Sequence, residues 1–215
     1  SGQYSSVQFS FTPRDTTASC DTLDMAVSCV LNKPYESYIE TNYSNKINGR
    51  TGPEVVLGLK KLNAFRGGEV VDLNVHGSYE WQTKGVSAGS SDDFNSYEYG
   101  ADLSVTFPRL IVPFLKRRRY FTTPSTTAKA STNVLNRPGY FKMHTASGEW
   151  TYKWQNTEKT KHEYSPLTLK YQHLTYATHK FDSIMNANPY LLATMQDMFI
   201  PKMSYTFTYT SPKQY

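Results

Sequence analysis

The fold class this chain predicts is all-β, an antiparallel transmembrane β-barrel with about eight strands and a short helical insertion in one loop. Three observations carry that prediction. Segments of about ten residues alternate strictly between apolar and polar side chains, and a period of two sends the classes to opposite faces of a strand. Over residues 71–81, Val71, Leu73, Val75, Tyr79 and Trp81 share one face, with Asp72, Asn74, His76, Ser78 and Glu80 on the other. The runs exceed the roughly five or six residues usual in soluble strands and match the roughly nine to eleven of a tilted membrane-crossing strand. Aromatic residues crowd the strand ends, as a girdle at lipid headgroups requires: Tyr79 and Trp81, Tyr97 and Tyr99, Trp150 and Trp154. The competing architecture is a soluble β-sandwich or lipocalin-like barrel, in which the apolar face packs against protein.

Residues 4–31 differ from the rest of the chain. Tyr4, Val7, Phe9 and Phe11, then Leu23, Met25 and Val27, read as short strands of a compact unit interrupted by the turn-rich PRDTTAS. From Pro34 onward the long strands begin, at 35–44, 54–60, 69–82, 97–107, 126–134, 141–155, 162–173 and 202–210. In 97–107, Tyr97, Tyr99, Ala101, Leu103, Val105 and Phe107 alternate with Glu98, Gly100, Asp102, Ser104 and Thr106. In the closing strand Met203, Tyr205, Phe207 and Tyr209 alternate with Ser204, Thr206, Thr208 and Thr210, so its polar face is all hydroxyls. The loop KGVSAGSSDDFNS is small and polar, and Asp92 and Asp93 lack the further spaced oxygen ligands of a calcium loop. Residues 175–201 carry a helical pattern. Phe181, Ile184 and Met185, then Leu191, Leu192, Met195, Met198 and Phe199, recur at helical spacing, with Pro189 dividing the helix or starting a second turn. Such a stripe packs on neighbouring structure or serves as a lid.

Composition narrows the function. The 215 residues carry a net charge of +5, and no run of about eighteen apolar residues exists to form a spanning helix. Low mean hydropathy is compatible with a barrel, since half of each spanning strand is polar. Lys116, Arg117, Arg118 and Arg119 form the one dense basic run, read as contact with anionic lipid headgroups or as a solvated turn. Basic residues are otherwise dispersed and no nucleic-acid motif accompanies them, so nucleic acid is not an expected partner. No nucleophile elbow, phosphate-binding loop or paired-histidine metal signature is present, and neither an enzyme activity nor a cofactor is expected. His76, His144, His162, His173 and His179 are scattered, and a polar-face position explains those within strands. Cys20 and Cys29 would lie about 30 Å apart on an extended segment, so a disulfide would need a hairpin between them. The opening SGQYSS has neither a basic nor an apolar signal region, so any secretion signal is expected to have been removed or to lie outside these residues.

Two stretches carry a family resemblance. GPEVVLGLKKLNAFRGGEVVDLNVHGSYEWQ, residues 52–82, resembles the second strand, turn and third strand of outer-membrane barrel-assembly proteins. YEYGADLSVTFPRLIVPF, residues 97–114, resembles more specifically the TamL type, the lipoprotein-like relative of BamA and TamA. Tyr152–Trp154, Ser165–Leu167, Asn188–Leu191 and the closing MSYTFTYT add to the match in order and spacing over most of residues 20–210. The resemblance implies that residues 1–33 are the tail of a periplasmic transport-associated domain and that 34–215 form the first half of a sixteen-stranded outer-membrane barrel. Asn63, Phe65, Arg66, Gly67 and Gly68 would form a periplasmic turn, its glycines permitting the tight bend and Phe65 anchoring in the headgroup layer. The sequence departs from the family in lacking the later strands, their Val-Arg-Gly loop motif and the lipoprotein cysteine.

What the resemblance implies for function is insertion or export of client outer-membrane proteins or lipoproteins, in the outer membrane of a Gram-negative-type cell. Membrane lipids, those clients, and periplasmic or inner-membrane subunits would be the partners. Its physical logic is strand addition. Tyr35, Ser37, Ile39, Thr41 and Tyr43 would lie on a first barrel strand weakly paired to the last, leaving backbone donors and acceptors for an incoming strand. The alternatives are a passive outer-membrane pore or structural barrel, and a soluble β-rich adhesion or glycan-binding domain.

Overall fold

The computed structural model describes residues 4–13, 22–45, 50–82, 95–112 and 120–211. Two sheets form, both antiparallel. The strands β1 (Tyr4–Pro13) and β2 (Leu23–Leu31) make a two-stranded sheet of their own. Its pairs Val7–Cys29, Phe9–Val27 and Phe11–Met25 place apolar side chains on one face, and that face is exposed.

The second sheet holds eight strands in chain order: β3 (Tyr35–Asn45), β4 (Arg50–Leu62), β5 (Val70–Gln82), β6 (Ser96–Phe107), β7 (Ser125–Arg137), β8 (Phe141–Thr157), β9 (Thr160–Ala177) and β10 (Met198–Tyr209). Every neighbour pair is antiparallel, so the meander follows from short or medium links at alternate ends. The register joins the alternation of each strand into rows that cross the whole sheet. Ile39, Leu57, Val75, Ala101, Thr132, Ala146, Tyr171 and Phe199 stand side by side on one face. Glu36, Lys60, Asp72, Ser104, Lys129, Glu149, Thr168 and Lys202 form a row on the other.

The sheet is not closed. Among the described residues β3 pairs only with β4 and β10 only with β9, so the eight strands expected as half of a sixteen-stranded barrel form an open antiparallel sheet. Eight strands can close, but closure needs the two edge strands brought into hydrogen-bonding register, and here each has one neighbour.

The helices do not project as an isolated loop. α1 (His179–Ala187) and α2 (Pro189–Thr194) fold onto the charged face at the end of β7 to β9. Phe141, Phe181 and Met185 are the buried apolar residues there, flanked by Leu135, Met143, Leu174 and Met195, and the rings of Phe141 and Phe181 lie 4.7 Å apart. Thr178 fixes the entry. Its hydroxyl accepts from the Phe181 N–H (3.3 Å) and donates to the carbonyls of Gly139 (3.0 Å) and Tyr140 (3.2 Å), so the helix cap is also the clasp to the β7–β8 turn. Gly139 sits at φ +81°, where a side chain would be strained. Pro189 occupies the first position of α2, where a missing N–H costs nothing, and Asn188 Oδ1 accepts from the Tyr190 N–H (3.2 Å). At the far end the Gln172 side chain donates to the Thr194 carbonyl (2.8 Å).

Truncating Phe181 to alanine removes the ring that meets Phe141 and should cost about 3 kcal/mol of helix docking. Hydrogen exchange over residues 179–194 should quicken while the amides of β4 to β7 keep their protection. Uniform loss of protection across the sheet would contradict a locally docked insertion.

Candidate functional site

Three features of the eight-stranded sheet stand out: an edge, a face and a turn. The edge is β3, which carries Tyr35, Ser37, Ile39, Thr41 and Tyr43 on one face and Glu36, Tyr38, Glu40 and Asn42 on the other. Ile39 is 74% exposed, Tyr35 67% and Tyr43 66%. Its pairing with β4 runs from Tyr35–Lys61 to Asn45–Thr51 with no register break. Alternate N–H and C=O groups along its outer side therefore point away from the sheet in an even row. The opposite edge is irregular. β10 contains Pro201, which has no N–H, and its register shifts between Lys202 and Ser204.

β3 is held by its polar face. The Tyr38 ring lies across Gly58 of β4, where a Cβ would come within 2.1 Å of it, and the Tyr38 hydroxyl donates to Asn74 Oδ1 on β5 (2.7 Å). Lys60 pairs with Glu36 at 3.3 Å. Glycine at position 58 thus makes room for a side chain that ties the edge strand to the second strand inward.

The face is defined by a charge partition. Following the cross-strand rows, the strands carry no carboxylate on the side of Ile39, Leu57, Leu73 and Leu103, Asp197 reaching its margin from the link before β10, and its lysines are Lys61 and Lys142 at the two margins. Yet this is the uncovered side: Leu59 is 58% exposed, Leu57 47% and Leu103 44%. The charged side is the more enclosed, and several of its charged groups are paired. Lys129 lies 3.5 Å from Asp102 and Lys153 3.1 Å from Glu163, while Thr151 and Ser165 share a hydrogen bond of 2.8 Å. His144, His162 and His173 lie in rows of the uncovered face, correcting their expected polar-face position; His76 lies on the charged face, 3.9 Å from Asp102. Aromatic contacts accommodate two of them. His162 stacks on Trp154 (5.1 Å) and bonds the Tyr205 hydroxyl (2.8 Å), and His173 stacks on Tyr171 and bonds Asp197 (2.7 Å).

The turn between β4 and β5 spans Asn63, Phe65, Arg66, Gly67 and Gly68, with Asn63 (φ 53°), Arg66 (φ 66°) and Gly68 (φ 84°) in the left-handed region. Gly67 does not supply a positive φ; its need is space, since a Cβ there would fall 2.3 Å from the Glu69 carboxylate. Asn63 Oδ1 accepts from the Gly68 N–H (2.9 Å), and Phe65 is 66% exposed at the tip. The residue that organises the turn is Glu69, which the alternation pattern does not single out. It is 4% exposed, accepts from the Gly67 N–H (2.8 Å) and faces Arg109 at 3.8 Å. Arg109 belongs to the β6–β7 link, whose chain is tied back by Thr126: its hydroxyl accepts from the Ile111 N–H (2.9 Å) and donates to the Arg109 carbonyl (2.8 Å). Only the contact between residues about forty positions apart reveals this role.

Arg117, Arg118 and Arg119, Asp92 and Asp93, and Cys20 lie outside the described residues. Cys29 is an exposed free thiol on β2. Among the described residues no group of three His, Cys, Asp or Glu side chains is placed to hold a metal, and no helix is long and apolar enough to cross a membrane. The β3 edge offers backbone hydrogen bonding to an extended segment. Comparison with family models, curated proteins and solved structures finds no match for the chain.

The Glu69 carboxyl is held below the usual glutamate range, chiefly by its own backbone N–H, with the Gly67 N–H and Arg109 acting the same way and burial opposing them. A carboxyl with a lowered folded value contributes stability above its unfolded value, lost as pH falls through the folded one. The turn should accordingly stay intact on acidification to the ordinary glutamate value of 4.5 and loosen below it. A carbon-13 titration of Glu69 checks this, and a midpoint at or above 4.5 would contradict it.

Proposed function

We propose that this chain is part of an outer-membrane component that inserts or exports client proteins by adding their strands to its β3 edge. The observation that supports the membrane placement is the charge partition: on the more exposed face the strands themselves carry no carboxylate. In water that arrangement leaves contiguous apolar area uncovered, whereas lipid covers it without charge to desolvate. Dimensions agree. From Tyr99 to Phe107 on β6 the aliphatic stretch Ala101, Leu103 and Val105 is flanked by aromatics, and its eight residue steps, tilted as in membrane strands, rise about 20 Å, near the roughly 25 Å apolar band of such proteins. Trp81 and Tyr79 extend the upper aromatic rank, and Trp150, Tyr152 and Tyr205 the lower.

The assembly reading rests on two supports, the regular unpaired rim of β3 and the resemblance in residues 52–82 and 97–114 to barrel-assembly proteins. An incoming extended segment would gain backbone hydrogen bonds along Tyr35–Asn45 and place alternate side chains beside Ile39 and Tyr43 in lipid. No covalent step is required. The full barrel to which these strands would belong supplies closure, and the helical insertion would lie at its loop end on the lumen side.

The face is tested by a pair of substitutions in lipid vesicles. Leu103→Arg should cost about 2–4 kcal/mol of folding in the bilayer, read from heat-modifiable migration, while Ser104→Arg on the charged face changes it by less than about 1 kcal/mol. A water-facing sheet would show the reverse ease, because Leu103 is 44% exposed and arginine there would cost nothing. Strand addition is tested separately. A photo-crosslinking residue at Ile39 should capture client chains during their insertion and one at Phe207 on β10 should not. Equal capture at both, or unimpaired client insertion after deletion of residues 35–45, would leave a passive barrel as the reading.

A further inference from the structure

Beside the apolar core, at the loop end of the charged face, lies a cavity of about 180 Å³. Its lining combines apolar Phe141, Phe181, Ile184 and Met195 with Arg50, Asn95, Arg137 and Tyr140. The guanidinium carbon of Arg137 sits 5.4 Å from the centre of the Phe141 ring, and its Nε is buried with no hydrogen-bond partner. Arg50 and Arg137 repel each other, and Glu80 and Glu98 act on Arg137 in the opposite sense. Glu98 is already engaged, accepting from the Asn133 side chain. Ile184 is 40% exposed, so the cavity opens to the outside across it.

We propose that this cavity binds a small organic monocarboxylate with a compact apolar or aromatic body. The reasoning is one of complementary halves and goes beyond the membrane role. A buried donor without a partner costs free energy that an entering acceptor recovers, and a guanidinium meets a carboxylate in a planar fork with paired N–H donors. The apolar body of the ligand lies on Phe181 and Ile184 and removes them from water. A neutral analogue of the same shape lacks the first contribution, and inorganic phosphate lacks the second. The volume suits a ring: a cavity of about 150 Å³ admits benzene.

Benzoate titrated into the full folded chain, followed by saturation-transfer NMR, tests the site against benzamide and inorganic phosphate. Benzoate should saturate, benzamide should bind at least tenfold more weakly, and phosphate should compete poorly. Arg137→Gln should weaken benzoate at least tenfold with the unfolding curve retained, and Ile184→Trp, which fills the opening, should abolish binding of both ring compounds. Equal binding of benzoate and benzamide, displacement by phosphate at matching concentration, or no saturable benzoate signal in the unsubstituted chain would overturn the proposal. The comparison of the two ring compounds decides it even if Arg137→Gln fails to fold.

Discussion

Antiparallel register is the constraint on which the rest of this structure depends. Side chains alternate with a period of two, so a slip of one residue in any strand pair would send a strand's apolar set to the wrong face. Seven successive pairings hold the alternation in phase from β3 to β10. Where the phase would drift, a bulge absorbs the difference. Two such shifts place an extra residue in β9: opposite Trp150 and Tyr152 it advances from Leu167 to Tyr164, which keeps both on the uncovered side, and opposite Lys202 and Ser204 it advances from Thr168 to Ser165. The consequence is a sheet with one apolar and one charged side.

The distribution of burial inverts that of a water-soluble sheet. Leucines stand exposed on one side while Glu69, Gln155 and Gln172 are buried elsewhere in the sheet and its links. Two of these buried groups are satisfied locally, Gln155 donating to the Glu158 carbonyl and Gln172 to that of Thr194, whereas Asp72 Oδ1, Asn133 Oδ1 and Arg137 Nε are buried without a hydrogen-bond partner. The helices resolve a second conflict. Leu135, Phe141, Met143 and Leu174 fall in charged-face rows, where they would meet water, and α1 and α2 supply the apolar cover they need. The buried apolar cluster thus lies on the side that pattern alone assigns to polar residues.

Much of this was legible in the chain. All eight long strands were, because alternation over ten residues is a strong signal when repeated, and so was the helical stripe around Phe181 and Met185. Strand ends were less so, for reasons specific to residues. Gly52 and Pro53 read as a break, yet β4 starts at Arg50; Pro201 reads as a breaker, yet on an edge strand its missing N–H is tolerated, so β10 starts at Met198. Closure was not legible, because pattern assigns faces and not the pairing of terminal strands. Nor was Glu69, whose place depends on Arg109 across two strands, nor the clasp made by Thr178, which depends on the β7–β8 turn folding beneath the helix.

The two ends of the sheet differ in a way that gives it a direction. β10 carries a proline and a register shift, the devices by which edges are made poor templates, whereas β3 offers eleven residues in unbroken register. A sheet with one blunted and one regular end resembles a filament with a capped end and a growing end. Under the strand-addition reading proposed above, an extended segment would meet an unbroken template at β3 and an interrupted one at β10, so a single proline helps give the sheet its direction.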